Sequence, residues 1–127
     1  MTETVLDASA LLAAINQEPG SGEVARAIDR ASISAVNLAE VLSKLVDKGI
    51  SPDEAWSGLV ATEIKVVPFD AGMAHRVAAL RPLTRAVGLS LGDRACLALG
   101  MATKATVLTA DRAWKSLGLD LSIRVIR

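Results

Sequence analysis

The sequence predicts a single α/β domain spanning residues 1–127, with a mostly parallel central β-sheet flanked by α-helices, and three observations carry that prediction. Short β-branched runs alternate with longer stretches of helical periodicity along the whole chain, and strands separated by helices pair in parallel. A chain of 127 residues suits one hydrophobic core without disulfides or a structural metal. That core must be aliphatic, because the chain is 51% hydrophobic but only 2% aromatic.

Each element has a local reason. "ETVLD" reads as the first strand, and "ASALLAAIN" as a helix ended by "EPGSG". "GEVARAIDR" is a second short helix and "SISAV" the next strand. In "NLAEVLSKLVDKG", Leu38, Val41, Leu42 and Leu45 follow the i, i+3, i+4, i+7 spacing of an amphipathic helix, stopped by Gly49. Ser51 before Pro52 is an N-cap and first-turn proline for "PDEAWSGLVATE". "IKVVPF" is a third strand, followed by a helix through "DAGMAHRVAALRPLTRAVG" that Pro82 should bend or end. A helix "LGDRACLALGMATK", a strand "ATVLTA", a short helix from Asp111 to Leu117 and a last strand "LSIRVIR" complete the order.

Composition excludes several function classes. The formal net charge of zero argues against a broad nonspecific grip on nucleic acid. The halves differ, however: residues 1–70 carry 5 basic and 11 acidic side chains, and residues 71–127 carry 9 and 3, so the second half can hold a polyanion locally. Scarce aromatic rings, with Trp56 and Trp114 expected in packing roles, argue against base stacking on a ring-lined platform. The lone Cys96 excludes an intramolecular disulfide and is expected in the core. No apolar run approaches the roughly 18 residues that span a bilayer, and "MTETVLDAS" lacks a secretory leader. The expectation is a soluble cytoplasmic protein without membrane contact.

The chemistry is concentrated in acids at strand-to-helix junctions. Asp7 follows "TVL" and Asp111 follows "TVLTA", so both should emerge at the carboxyl edge of the sheet, where ligands collect in this architecture. Asp93 belongs to the first turn of its helix, within a stretch otherwise rich in leucine and alanine. Glu40 falls one turn into the helix after "SISAV", on the face of Asn37 and Lys44. Two like charges about 4 Å apart repel by about 4 kcal/mol at an effective dielectric of 20, so such a cluster takes up protons or binds cations. Hard divalent cations with oxygen ligands, Mg²⁺ or Mn²⁺, are the natural partners.

Each acid also has a purely structural reading. Ser90 and Asp93 match a capping box, Asp7 and Asp111 can each be a helix N-cap, and Glu40 can pair with Lys44 at i, i+4. Convergence of all four at one edge distinguishes the readings. Ser9, Asn37 and Thr109 stand close enough in sequence to orient a carboxylate or a metal-bound water. Arg94 and Arg112, each directly after an acid, are candidate phosphate contacts. The only histidine, His75, sits in a helical stretch with no catalytic partner in view.

Taken together, "VLDASALLA", "ISAVNLAEVLSKL", "LSLGDRACLALG" and "VLTADRAW" resemble the four signature blocks of the PIN-domain family, specifically of VapC toxins from type II toxin-antitoxin pairs. The resemblance implies a single PIN domain acting as a Mg²⁺- or Mn²⁺-dependent endoribonuclease that cuts a tRNA or rRNA and arrests translation and growth. Asp7, Glu40, Asp93 and Asp111 match the family's acidic quartet as catalytic and metal-binding residues, with Ser9 and Thr109 as hydroxyl neighbours. It further implies a cognate VapB-type antitoxin, operator DNA bound only through that antitoxin, and a homodimer. Two other readings remain at this level: a receiver-like domain with Asp70 as phosphoacceptor, and a catalytically inactive PIN-like binding module.

Overall fold

The computed structural model describes residues 3–127. Its five strands are β1 (Thr4–Leu6), β2 (Ala31–Ser34), β3 (Lys65–Val67), β4 (Thr106–Thr109) and β5 (Ile123–Val125), in the order β3-β2-β1-β4-β5. Each of the four pairings is parallel, one step beyond the mostly parallel sheet expected. The helices are α1 (Ala8–Ile15), α2 (Ser21–Ala27), α3 (Ala35–Asp47), α4 (Pro52–Ala61), α5 (Ala71–Thr84) and α6 (Leu91–Thr103). Chain order places β2 and β3 on one side of β1 and β4 and β5 on the other, so the direction of winding reverses between β1 and β4. Open parallel sheets bind ligands at such a switch point.

Alternation along the central strands divides the core into two layers. Leu6, Ile33 and Leu108 face α1 to α4, where Leu11, Val24, Val41 and Leu59 are buried against them. Their neighbours Val5 and Val107 face α5 and α6, packing with Val77, Leu80, Ala95, Leu99 and Trp114. Strands covered on both faces need apolar residues at successive positions, which "TVL" supplies twice. At Gly100 a Cβ would lie 2.5 Å from Val107 Cγ2 and 3.2 Å from a Leu121 methyl, so the missing side chain lets α6 rest directly on β4.

The helix starts are fixed by side chains. Asp7, Ser34, Ser51, Asp70 and Ser90 cap α1, α3, α4, α5 and α6, with complete capping boxes at Ser51/Glu54 and Ser90/Asp93. Several boundaries depart from expectation. The run "SISAV" yields a strand only to Ser34, because the Ser34 hydroxyl accepts the Val36 N–H and starts α3 within the β-branched stretch. Pro82 agrees with expectation: it sits in the last turn of α5, which ends two residues later and passes into a 3₁₀ turn, Arg85–Val87. The helix expected from Asp111 to Leu117 is a 3₁₀ turn, Arg112–Ser116, and "LSIRVIR" is strand only over Ile123–Val125. Trp114 is buried as expected, whereas Trp56 is half exposed on α4. Among the described residues no helix is long and apolar enough to cross a membrane.

Candidate active site

The register brings the strand ends level. Leu6 is opposite Ile33 and Leu108, so Asp7, Ser34 and Thr109 emerge together at the carboxyl rim, with β1 in the middle. Asp7 is 5% exposed, and a buried carboxylate is tolerable only when its oxygens are engaged. Its Oδ1 accepts the Ser9 hydroxyl at 2.7 Å and the Ala10 N–H at 2.8 Å, and its Oδ2 accepts the Thr109 hydroxyl at 2.6 Å. The Thr109 oxygen in turn accepts the Asp111 N–H at 3.0 Å, and the Ser9 oxygen accepts the Ala110 N–H at 2.9 Å. Ser9 and Thr109 therefore cross-link the ends of β1 and β4. Burial raises the Asp7 carboxyl above the ordinary carboxylate range; hydrogen bonds from Thr109, Ala10 and Ser9 counter this, while the Asp93 charge adds to it.

The opposite wall is built from α3 and α6. Asn37, buried in the first turn of α3, donates through Nδ2 to Glu40 Oε1 at 3.0 Å and to the Gly92 carbonyl at 3.0 Å. One amide thus holds a carboxylate and ties α3 to the start of α6. Asp93 uses Oδ2 to accept the Ser90 N–H at 3.0 Å, which leaves its Oδ1 without a capping bond. The capping and metal-binding readings of Asp93 are compatible in this arrangement. Beneath the acids lies Cys96, fully buried; burial pushes its thiol well up, and the charges of Asp7, Asp93 and Glu40 push the same way. A packing role suits a thiol held in its neutral form.

Asp7, Ser9, Asn37, Glu40, Asp93 and Asp111 line one cleft of about 710 Å³. Asp111 is at its exposed lip, with Oδ1 capping the 3₁₀ turn through Ala113 N–H at 2.9 Å. The arginines go elsewhere. Arg94 Nη1 donates to the Val77 carbonyl on α5 at 3.2 Å, and Arg112 Nε donates to the Arg127 carbonyl at 3.1 Å; neither lines the cleft. The basic residue that does is Lys44, one turn beyond Glu40 on α3, expected from sequence only as a partner for that acid. Its i+4 spacing from Glu40 was the available signal. His75 is exposed on α5, outside the cleft, and Asp70 caps α5 through Met73 N–H beyond the edge strand β3.

The four acids offer carboxylate oxygen to the cleft, which suits a hard divalent cation. A second feature fits the same group: a Cβ at residue 92 would fill the space taken by the Glu40 carboxyl, so the chain leaves room there for an acid. The acids surround the cleft without forming a closed cage; among the described residues no three His, Cys, Asp or Glu side chains stand together as a ready-made metal site.

Residues 4–119 match the family described as PIN domain, most of the chain. The chain belongs to the PIN-domain family. That membership replaces the receiver-like reading, in which Asp70 would have been the phosphoacceptor. No curated protein matches this PIN domain significantly. Among solved structures it is similar to DNA-bound VapBC from Salmonella typhimurium, with 16% identity, complete coverage of both chains (100% and 100%) and a TM-score of 0.76. A second is VapBC2 from Rickettsia felis, bound to a DNA fragment from its promoter, at 20% identity, 96% and 97% coverage and a TM-score of 0.73. A third is VapBC-5 from Mycobacterium tuberculosis, a member of the VapBC family of toxin-antitoxin systems, at 26% identity, 98% and 97% coverage and a TM-score of 0.60.

Proposed function

We propose that this PIN domain is a VapC-type toxin: an endoribonuclease, dependent on Mg²⁺ or Mn²⁺, that hydrolyses phosphodiester bonds in tRNA or rRNA in the cytoplasm and is restrained by a VapB-type antitoxin. The observation that carries the reading is that Asp7, Glu40, Asp93 and Asp111, drawn from four separate stretches of chain, line one cleft at the switch point of the sheet. Family membership supports a nuclease, and the VapBC complexes among its structural neighbours support an antitoxin partner, through which operator DNA would be reached. A homodimer belongs to the same proposal.

Asp7 and Asp93 would hold the cation directly, with Glu40 and Asp111 binding it directly or through water. Once bound, the cation supplies positive charge that acidifies water and offsets charge on the phosphate. The chain's own residues do the rest. Ser9, Thr109 and the Ala10 N–H fix both Asp7 oxygens, so that carboxylate cannot rotate away from the cleft. Asn37 fixes Glu40, and with no histidine lining the cleft the proton lost by the attacking water passes to a carboxylate. Lys44, rather than Arg94 or Arg112, is the cation positioned to draw in phosphate.

The test is cleavage of total tRNA and rRNA by purified protein freed of any bound partner, with and without EDTA. Metal-dependent cleavage that disappears in Asp93→Asn supports the proposal. Activity that persists in EDTA, or a wild type inert toward both RNA classes with Mg²⁺ and Mn²⁺, refutes it, the latter result pointing to a binding module.

A further inference from the structure

We propose that Gly92 is a positioning residue for the metal site: the absence of a side chain there seats the Glu40 carboxylate against the first turn of α6, next to Asp93. This rests on the reading of the cleft as a divalent-metal centre. A Cβ built at Gly92 would stand 2.6 Å from Glu40 Cδ and 2.6 Å from Oε1, closer than carbon and oxygen atoms approach without displacement. The backbone gives no competing reason for glycine. Gly92 is not among the positive-φ residues of the chain, it lies inside α6 between Leu91 and Asp93, and glycine in a helix is less stable than alanine. The position is also buried, so the atom it makes room for is the Glu40 carboxyl and not solvent.

Asn37 completes the seat from the other side. Its Nδ2 reaches Glu40 Oε1 and the Gly92 carbonyl with the same 3.0 Å spacing, so the acid lies between an amide that pulls it in and a backbone that lets it come close. The amide orientation is fixed by these two acceptors, since its buried Oδ1 has no partner among the described residues. The three atoms nearest a Cβ at residue 92 all belong to the Glu40 carboxyl, so that carboxylate is the group a methyl there would displace.

The experiment compares wild type, Gly92→Ala, Glu40→Asp and the double variant by Mn²⁺ affinity without RNA, read from the electron paramagnetic resonance of free Mn²⁺, and by thermal unfolding. Gly92→Ala is expected to unfold no lower than wild type yet to bind Mn²⁺ about tenfold more weakly, the size of effect typical when the support of a ligand is lost. Aspartate is one methylene shorter and clears the methyl, so the alanine should cost much less affinity in the Glu40→Asp background. Unchanged affinity in Gly92→Ala, or an equal loss in both backgrounds, overturns the inference while leaving the metal centre standing. If Gly92→Ala fails to fold, restoration of folding by Glu40→Asp supports the steric seat and continued failure overturns it. A wild type that binds no Mn²⁺ overturns the metal centre and the inference together.

Discussion

The two walls of the cleft are held by different physics. On the β1–β4 side, Asp7 accepts three hydrogen bonds, two of them from hydroxyls that also bond the neighbouring backbone, and Thr109 is fully buried. On the α3–α6 side, Glu40 is only partly buried, held by one amide and given room by one missing side chain. The first wall is set by sheet register and is over-determined; the second is set by how two helices meet, and its geometry depends on single atoms. Disturbing the first wall should therefore cost stability and activity together, and disturbing the second should cost mainly activity.

The largest expected effect comes from removing charge on either wall. Asp7→Asn and Asp93→Asn should each lower RNA cleavage by more than about a hundredfold, beyond the loss seen when only the support of a metal ligand is changed, with circular dichroism unchanged. Thr109→Val comes next. It removes the donor to Asp7 and the acceptor of the Asp111 N–H, so urea denaturation should show a loss of about 1–3 kcal/mol along with weaker Mn²⁺ binding. Asn37→Ala should reverse that balance: a stability loss of about 1 kcal/mol, with a fall in kcat of about tenfold and little change in KM. A Thr109→Val variant less damaged in stability than Asn37→Ala would break the distinction between the walls.

Acidity gives a finer probe of the buried wall. Because the folded-state pKa of Asp7 is raised above its ordinary 3.8, the unfolded chain ionises first as pH climbs. The Asp7 contribution to stability is thus fully present below 3.8 and is lost as pH rises through the higher folded value. Asp7→Asn removes this contribution, so the stability of wild type relative to the variant should decline across that window in paired urea titrations. The smallest effect is expected at the cleft mouth. Lys44→Ala should raise KM for RNA, more so at low salt, whereas Arg112→Ala, directed at the Arg127 carbonyl, should leave KM and kcat within about twofold and stability within about 0.5 kcal/mol.

What the sequence disclosed and what it withheld follow the same division. Asp7 and Asp111 were legible because each directly follows a β-branched run, and a parallel sheet sends every such end to one rim. The shared face of Asn37 and Glu40 and the Ser90/Asp93 capping box are likewise short-range patterns, fixed by helical periodicity. Contacts across long stretches of chain were not legible. That Asn37 reaches Gly92, 55 positions away, that Arg94 turns to the Val77 carbonyl, and that Lys44 rather than an arginine lines the cleft all depend on how α3, α5 and α6 pack. Ser34 shows the local counterpart: a single hydroxyl cap outweighed the strand preference of Val36.

Gly100 gives α6 a fulcrum. The helix touches β4 where that residue has no side chain, and Asp93 lies seven residues, roughly 10 Å, further along the same rigid rod. A bulkier residue at this bearing point would lift the rod off the sheet and tilt its far end, carrying Asp93 and Gly92 with it. Alignment of the acidic mouth is therefore calibrated in part by an apolar spot deep in the opposite end of the layer, so substitutions remote from any charged group can detune it.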